Sequence, residues 1–488
     1  MAMIIIGRQQ EKSLLKEIYE RNSPDFLAIY GRRRVGKTYL IRNYFSTKNC
    51  IYFEITGLKD GSLAQQLKLF TEKFADFFMQ GLPLQPPKNW LDAFKLLTST
   101  LKKIPGEQKI ILFFDELPWL AAPKSGFIQA LDRYWNTEWS LINNMKLIVC
   151  GSAASWMLNQ LIHAKGGLHN RLTNVIALSP FSLCETAEYL KSKNINLNQK
   201  QILELYMIIG GVPHYLNGVT RGLSAAQNIN KLCFQKDGIL FKEFSKLFSS
   251  LFNDSEAHYE IIRIIAKARE GLSRDEILQK SKLSKSGGMF KTRLSELEEA
   301  GFIASFTPYG KSNKGTYFRI IDEYILFYLK WIEPIANKLS LVTKNTSYWE
   351  SKAQTQAWKS WSGYAFEAVC LKHIEQIKFA LSIQVIASQI GSWRHIPKQD
   401  ESGAQVDLLI DRADGIINLC EIKYCQGLYK LSKKYASELF KKVNIFQTQE
   451  KINKTIFITL ITPDGAEKNP VFEETIVNEV TLGDLFRT

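Results

Sequence analysis

At 488 residues the chain is long enough for three or four domains of ~100–200 residues each, and its 45% hydrophobic and 12% aromatic content excludes a disordered polypeptide. A formal net charge of +15 favours a polyanionic partner, because clustered Lys and Arg gain by releasing counterions from phosphates. Seven scattered cysteines (Cys50, Cys150, Cys184, Cys233, Cys370, Cys420, Cys425) without a CxxC pair exclude a zinc ribbon and a disulfide framework, and no stretch reaches the ~20 apolar residues of a membrane helix.

The first residues, MAMIIIGRQQEK, turn charged after a short apolar stretch, too short for a signal peptide. A soluble cytoplasmic protein is expected, with no membrane partner. Residues 26–30 (FLAIY) read as a buried parallel strand, and residues 31–38 (GRRRVGKT) fit G-x-x-x-x-G-K-[ST]. YLIRNYF then continues at helical spacing. Strand, glycine-rich loop and helix in this order form a phosphate cradle. Gly31 and Gly36 let the backbone N–H groups curl round phosphate oxygens, and the helix N-terminus adds its positive end. Lys37 is placed to neutralise β- and γ-phosphates, and the Thr38 hydroxyl to hold Mg²⁺. Arg32, Arg33, Arg34 and Val35 fill the free positions of the loop and count with the nucleotide-binding segment. Phosphate, lid or solvent remain open as partners of the three arginines.

Residues 109–117 (KIILFFDEL) form a second apolar strand ending in two carboxylates, and strand C-termini face the ligand crevice of a doubly wound sheet. Asp115 is expected to reach the Mg²⁺ water shell, and Glu116 to polarise the attacking water. Residues 146–152 (KLIVCGS) form a third strand, which brings Ser152 to the γ-phosphate. Arg171 follows in GGLHNRL, either stabilising transition-state charge or making a surface ion pair.

These elements resemble the signal-transducing ATPases with numerous domains (STAND), an AAA+ branch of the P-loop proteins common in archaea and some bacteria. The resemblance is carried by IIIGRQQEKSLL (4–15), the GRRRVGKT loop, FFDELPWLA (113–121), IVCGSA (148–153), LSPFSLCE (178–185) and GGVPHYL (210–216). It implies ATP and Mg²⁺ as ligands, an ATPase core over residues 1–185 and a helical lid over 186–255. Gly7 and Arg8 would then line the adenine side, and Pro213 would sense the nucleotide from the lid.

Residues 256–322 read as helix, helix, helix and hairpin, a winged helix, with Ser273 as an N-cap and Phe290, Leu294 and Leu297 on one helix face before Gly301. Five basic and no acidic residues lie between Ile277 and Ser295, and Lys311 and Lys314 mark the wing tip. This places positive charge where a recognition helix and wing would meet DNA, although such modules also serve as protein–protein relays. A connector, 323–349, leads to the last domain, 350–488.

There WKSWSGYAFEAVCLKHI forms a helix carrying Glu367, AQVDLLI and IINLCEIKY form two strands, and DRADG is the turn between them. The hairpin sets Asp407 level with Glu421 and Lys423, a grouping suited to metal-assisted phosphodiester hydrolysis. In it Asp407 and Glu421 would hold Mg²⁺, Lys423 would orient the attacking water or stabilise developing charge, and Glu367 could complete the shell. The spacing resembles the PD-(D/E)xK nuclease core, except that Gln405 stands where relatives often carry an acid. Residues 424–454 hold seven lysines interleaved with Tyr424, Tyr429 and Tyr435, either a phosphate-tracking helix or a solvated face. Trp349, Trp358 and Trp361 read as core anchors.

The expected architecture is a multidomain α/β protein: a P-loop parallel sheet with helical lid, a winged helix and an α/β restriction-endonuclease-like C-terminal domain. The expected function is ATP-controlled DNA binding with metal-dependent cleavage. The alternative is an ATP-switched regulator whose nuclease-like module does not cut. ATP and DNA are the expected partners, with a homo-oligomer or a protein partner also open.

Overall fold

The computed structural model describes residues 4–162, 168, 170–235, 237–252, 254–268, 270–283, 287–310, 315–336, 348–353, 355–395 and 403–487. Lys311 and Lys314, and most of GGLHNRL before Arg171, lie outside the described residues. The chain divides into two compact units, Met1–Pro180 and Phe181–Thr488.

In the first unit, α1 (Gln9–Glu20) precedes β1 (Asp25–Tyr30), α2 (Lys37–Phe45), β2 (Cys50–Thr56), α3 (Leu63–Phe78) and α4 (Trp90–Leu101). Then come β3 (Lys109–Asp115), α5 (Leu117–Leu120), α6 (Phe127–Thr137), β4 (Met145–Gly151), α7 (Ala154–Met157) and β5 (Asn174–Ala177). The strands pair in the order β2-β3-β4-β1-β5, all parallel. Their near-continuous apolar runs are explained by burial on both faces. Along β3, Ile111 and Phe113 pack with Leu15, Leu27, Ile41 and Phe45, while Leu112 and Phe114 pack into an aromatic cluster with Phe70, Trp90, Phe94 and Trp139. Because every strand runs the same way, Tyr30, Thr56, Asp115 and Gly151 finish on one edge: Thr56 pairs with Asp115, and Tyr30 with Gly151. At the opposite edge, Asp25 opens β1 beside Lys146 of β4, and the two form a fully buried ion pair, Oδ2 to Nζ 2.6 Å.

The second unit begins with the helices Leu183–Ser192, Gln199–Ile209, Pro213–Leu216, Ala225–Ile229 and Glu243–Leu251. Three more, Ser255–Ala266, Arg274–Lys280 and Gly287–Glu299, accompany an antiparallel sheet of β6 (Leu272–Ser273), β8 (Tyr317–Ile320) and β7 (Ile303–Phe306). Ser273 caps its helix reciprocally with Glu276, Phe290, Leu294 and Leu297 are buried, and Gly301 turns the chain at φ 74°.

A five-stranded sheet follows, ordered β13 (Asn478–Thr481), β12 (Thr455–Thr462), β11 (Ile416–Ile422), β10 (Ala404–Arg412) and β9 (Ser388–His395). The β9-β10-β11 meander is antiparallel, whereas β11, β12 and β13 run parallel. The helix Lys433–Glu450 supplies the crossover from β11 to β12, and the helix Gln356–Lys372 precedes the meander. Trp349, Trp358 and Trp361 are buried and pack ring on ring, with centroids 5.0 and 5.2 Å apart for the successive pairs. They are core, as their apolar context predicts.

Candidate nucleotide site and candidate metal site

The loop between β1 and α2 is shaped by two glycines. Gly31 sits at φ 144°, and a Cβ there would lie 2.3 Å from the Leu178 carbonyl oxygen; Gly36 caps α2 at φ 96°. Arg34 also takes a left-handed conformation, so the loop curls over its length. Lys37 is buried and donates from Nζ to the carbonyls of Gly31 (2.8 Å) and Arg32 (3.1 Å), which poises the ammonium inside the curl. Arg32 and Val35 are buried and Arg33 is half-buried, so solvent is not the surrounding of the first arginine. Upstream, Gly7 and Arg8 both have positive φ, and the Arg8 guanidinium donates to the Val35 carbonyl at 3.1 Å.

At the C-terminal end of β3, the Thr38 hydroxyl donates to both Asp115 oxygens, at 2.9 and 3.1 Å. Burial raises the Asp115 pKa, the Thr38 hydrogen bond opposes that rise and the Glu116 charge adds to it. A hydroxyl and a carboxylate in contact are hard oxygen donors, and the cation would relieve the buried charge, so the pair suits Mg²⁺. Glu116, left-handed at φ 48°, accepts from the Ser152 hydroxyl at 2.6 Å and from its amide at 3.2 Å. Ser152 therefore grips the carboxylate expected to handle water. Cys150 lies below, fully buried, and burial raises its pKa so far that it stays an inert thiol. Arg171 is exposed in the turn before β5 and joins none of these contacts. Pro213 belongs to the second unit, where it opens the short helix Pro213–Leu216.

In the second unit, Leu408 pairs with Cys420, which sets Asp407 and Glu421 as the next facing positions of β10 and β11. Glu421 is 1% exposed, and two cations meet it: Lys423 Nζ at 2.7 Å and Lys442 Nζ at 3.0 Å. The Tyr435 hydroxyl donates to the same carboxylate. Burial works against the Glu421 charge, but Lys423 and Lys442 outweigh it and hold the pKa below its ordinary value. Asp407 is shifted upward, first by burial and then by the Glu421 charge, while Gln405 donates an amide hydrogen bond to its Oδ1 at 3.0 Å.

Among the described residues no three His, Cys, Asp or Glu side chains stand close enough to hold a metal ion. The three-carboxylate shell of Glu367, Asp407 and Glu421 expected from the sequence is thus not assembled. Glu421 is turned to two lysines and a tyrosine, and Glu367 lines a neighbouring cavity with Asp407. Asp407 and Glu421 still fit Mg²⁺ as a pair. They repel one another, and this ion is commonly held by one or two carboxylates plus substrate phosphates.

Residues 6–219 match a family described as an ATPase domain predominantly from Archaea. The parallel sheet and the glycine-rich loop ahead of α2 agree with that description. An uncharacterized protein of Methanocaldococcus jannaschii is 25% identical over 444 residues, covering 90% of this chain and 92% of the relative. An uncharacterized ATP-binding protein of the same archaeon is 35% identical over 46 residues, covering 9% of this chain and 78% of the relative. Among solved structures, the Walker-type ATPase of Pyrococcus abyssi aligns at a TM-score of 0.46 with 19% identity, over 67% of this chain and 96% of that one. The ORC2 protein of Aeropyrum pernix aligns at 0.44 with 15% identity, over 70% and 97%. No helix among the described residues is long and apolar enough to cross a membrane.

Within the ATPase domain, the sequence placed Thr38, Asp115, Glu116 and Ser152 on one edge, but their pairing into Thr38–Asp115 and Ser152–Glu116 emerges only in the fold. In the second unit, sequence reasoning missed Lys442 and Tyr435 as partners of Glu421. The signal was present as a helix of interleaved lysines and tyrosines, without a rule to say which of them face the sheet.

Proposed function

We propose that the ATP state of the N-terminal domain controls a nucleic-acid-acting C-terminal part, in the manner of a STAND-type AAA+ switch. ATP binds at Gly31–Thr38, with Lys37 countering the phosphate charge and Arg32–Arg34 and Val35 shaping the curl. Thr38 and Asp115 would hold Mg²⁺, which supplies charge neutralisation at the phosphates. Glu116, held by Ser152, orients and polarises water, and Arg171 is the candidate for countering charge that develops on hydrolysis. Residues 186–255 act as the lid, with Pro213 reporting the nucleotide. Residues 256–322 act as a winged helix contacting DNA, and residues 350–488 as a PD-(D/E)xK-like module, in a cytoplasmic protein that works alone or as a homo-oligomer. Lid closure repositions the two C-terminal modules.

The observation that carries the nucleic-acid reading is the convergence of Asp407, Glu421, Lys423 and Lys442 at one end of the β10–β11 hairpin. Asp407 and Glu421 would bind Mg²⁺, which polarises a scissile phosphate when present. Lys423 steadies the developing charge, and Tyr435 and Lys442 fix Glu421 in place. A second reading, a module that binds without cutting, is favoured by the Gln405–Asp407 hydrogen bond and by the two ammonium groups that already neutralise Glu421.

The test incubates purified protein with supercoiled and linear DNA, with Mg²⁺ or Mn²⁺, with and without ATP. Cleavage that is lost in Glu421→Ala and Lys423→Ala and altered in Lys37→Ala supports the first reading. DNA binding without cleavage under either metal supports the second, and DNA binding insensitive to salt counts against phosphate contact altogether.

A further inference from the structure

A cavity of about 610 Å³ opens inside the second unit, between the β6-β8-β7 module and the five-stranded sheet. One wall carries Arg319 and Tyr317 from β8, and the other carries Tyr364, Glu367 and Asp407. The cavity therefore begins at the carboxylate that the preceding reading assigns to metal and phosphate. Its edges are tied: Tyr309 donates from its amide to the Ser392 carbonyl at 2.9 Å and from its hydroxyl to Asp411 at 2.9 Å, and Arg394 pairs with Glu270. The enclosure thus results from one module docking on the other through specific contacts.

Two observations say what it takes. The Arg319 guanidinium lies 4.7 Å from the Phe306 ring centroid, and its Nε is buried without a hydrogen-bond partner. A buried guanidinium with an unmatched donor is costly, so an oxygen ligand that reaches its fork gains more than at a solvated arginine, and phosphate presents oxygens in the geometry Arg prefers. The charges of Glu367 and Asp407 also act on Arg319, so the guanidinium shares this space with the carboxylate assigned to the metal, Asp407. The second observation is size. A sphere of this volume is about 10 Å across, narrower than the ~12 Å major groove of a duplex alone, yet within the range that encloses a nucleotide-sized ligand. Tyr317 and Tyr364 add aromatic walls of the kind on which unpaired bases stack. Lys267 and Lys280, both exposed, line the rim together with Glu270 and Glu276, so the mouth carries both signs of charge and the phosphate preference comes from Arg319 inside.

We propose that this cavity is the substrate site of the C-terminal module and that it admits single-stranded nucleic acid, one or two nucleotides at a time, with Arg319 holding the phosphate next to Asp407. The inference rests on the nucleic-acid reading above and narrows it: duplex is contacted elsewhere or not at all, and only an unpaired end or flap reaches Asp407.

The test measures fluorescence anisotropy of the full-length protein in EDTA, so that neither metal nor cleavage enters the readout. The probes are a labelled six-nucleotide oligothymidine, the matching oligouridine and a blunt hairpin duplex of similar charge. The wild type is expected to bind a single strand about tenfold more tightly than the duplex. Arg319→Gln should weaken single-strand binding about tenfold and leave the duplex unaffected, with Arg319→Lys between the two. The two single strands distinguish a DNA substrate from an RNA one. Near-UV circular dichroism checks folding, and Lys280→Ala provides a rim variant that disturbs no buried group. Equal or tighter duplex binding by the wild type, or single-strand affinity unchanged in both Arg319 variants, overturns the inference. Glu421-dependent cleavage of DNA without single-strand preference overturns it while sparing the nuclease reading. Single-strand preference in EDTA with no cleavage in the Mg²⁺ or Mn²⁺ incubations does the reverse.

Discussion

His373 lies 1% exposed at the end of the helix Gln356–Lys372, and its environment dictates one protonation state. The Leu183 amide donates to Nε2 at 3.0 Å, so that nitrogen must carry a lone pair; Nδ1, 2.8 Å from the Val369 carbonyl, must carry the proton. Burial lowers the pKa from 6.5 to about 4, the Val369 carbonyl opposes that shift and Lys372 adds to it. The folded value lies below the unfolded one, so this stabilisation is complete above pH 6.5 and is lost as the pH falls toward 4. With those two values, going from pH 7.5 to pH 5 costs about 2 kcal/mol through this residue. Urea unfolding at both pH values, compared between wild type and His373→Gln, isolates it from the carboxylates that titrate lower. The pH-dependent loss in the variant should be smaller by about 2 kcal/mol. Ring resonances of His373 titrating near 6.5, or parallel pH profiles in the two proteins, would refute the reasoning.

Replacing Asp25 with Asn keeps an oxygen acceptor but removes the charge that balances the buried Lys146 ammonium, a loss of about 3–5 kcal/mol that thermal unfolding of the ATPase domain should register. Mg-ATP at a hundred times its dissociation constant should stabilise the wild type by about 2.7 kcal/mol, and Lys37→Ala should abolish the corresponding thermal shift. Ser152→Ala frees the Glu116 carboxylate, so phosphate release should fall by about one to two orders of magnitude while nucleotide affinity, measured by calorimetry, stays within about twofold. Equal losses in both would place Ser152 on the nucleotide instead.

The ATPase core is legible because each of its parts is carried by a contiguous segment and a topological rule assembles them. Parallel strands end on one edge, so Lys37, Asp115 and Ser152 converge without any need to know the packing of α1 to α7. The C-terminal hairpin is legible for a similar reason, since a short turn fixes its register. Contacts between elements far apart in sequence are different. The sequence offers no rule joining Leu183 to His373, or Lys442 rather than Lys441 to Glu421, because helix rotation over a sheet is decided by the whole core. Glu367 illustrates the cost of reasoning by spacing alone: its helix lies where expected, but its side chain lines the cavity of Arg319.

That difference bears on how a cation would enter. Glu421 already has two ammonium groups and a phenol, whereas Asp407 has one amide and a pKa raised by burial and by its neighbour. An added positive charge therefore gains more at Asp407 than at Glu421. Asp407 opens onto the cavity, where Arg319 would present a phosphate oxygen to the same ion. The two carboxylates then have unequal roles: Asp407 receives the cation along with the substrate, and Glu421, held by Lys442 and Tyr435, sets the position of Lys423. Asp407→Asn should consequently weaken the metal dependence of substrate binding more than Glu421→Gln does, and the reverse order would show that the lysines leave Glu421 when the cation arrives.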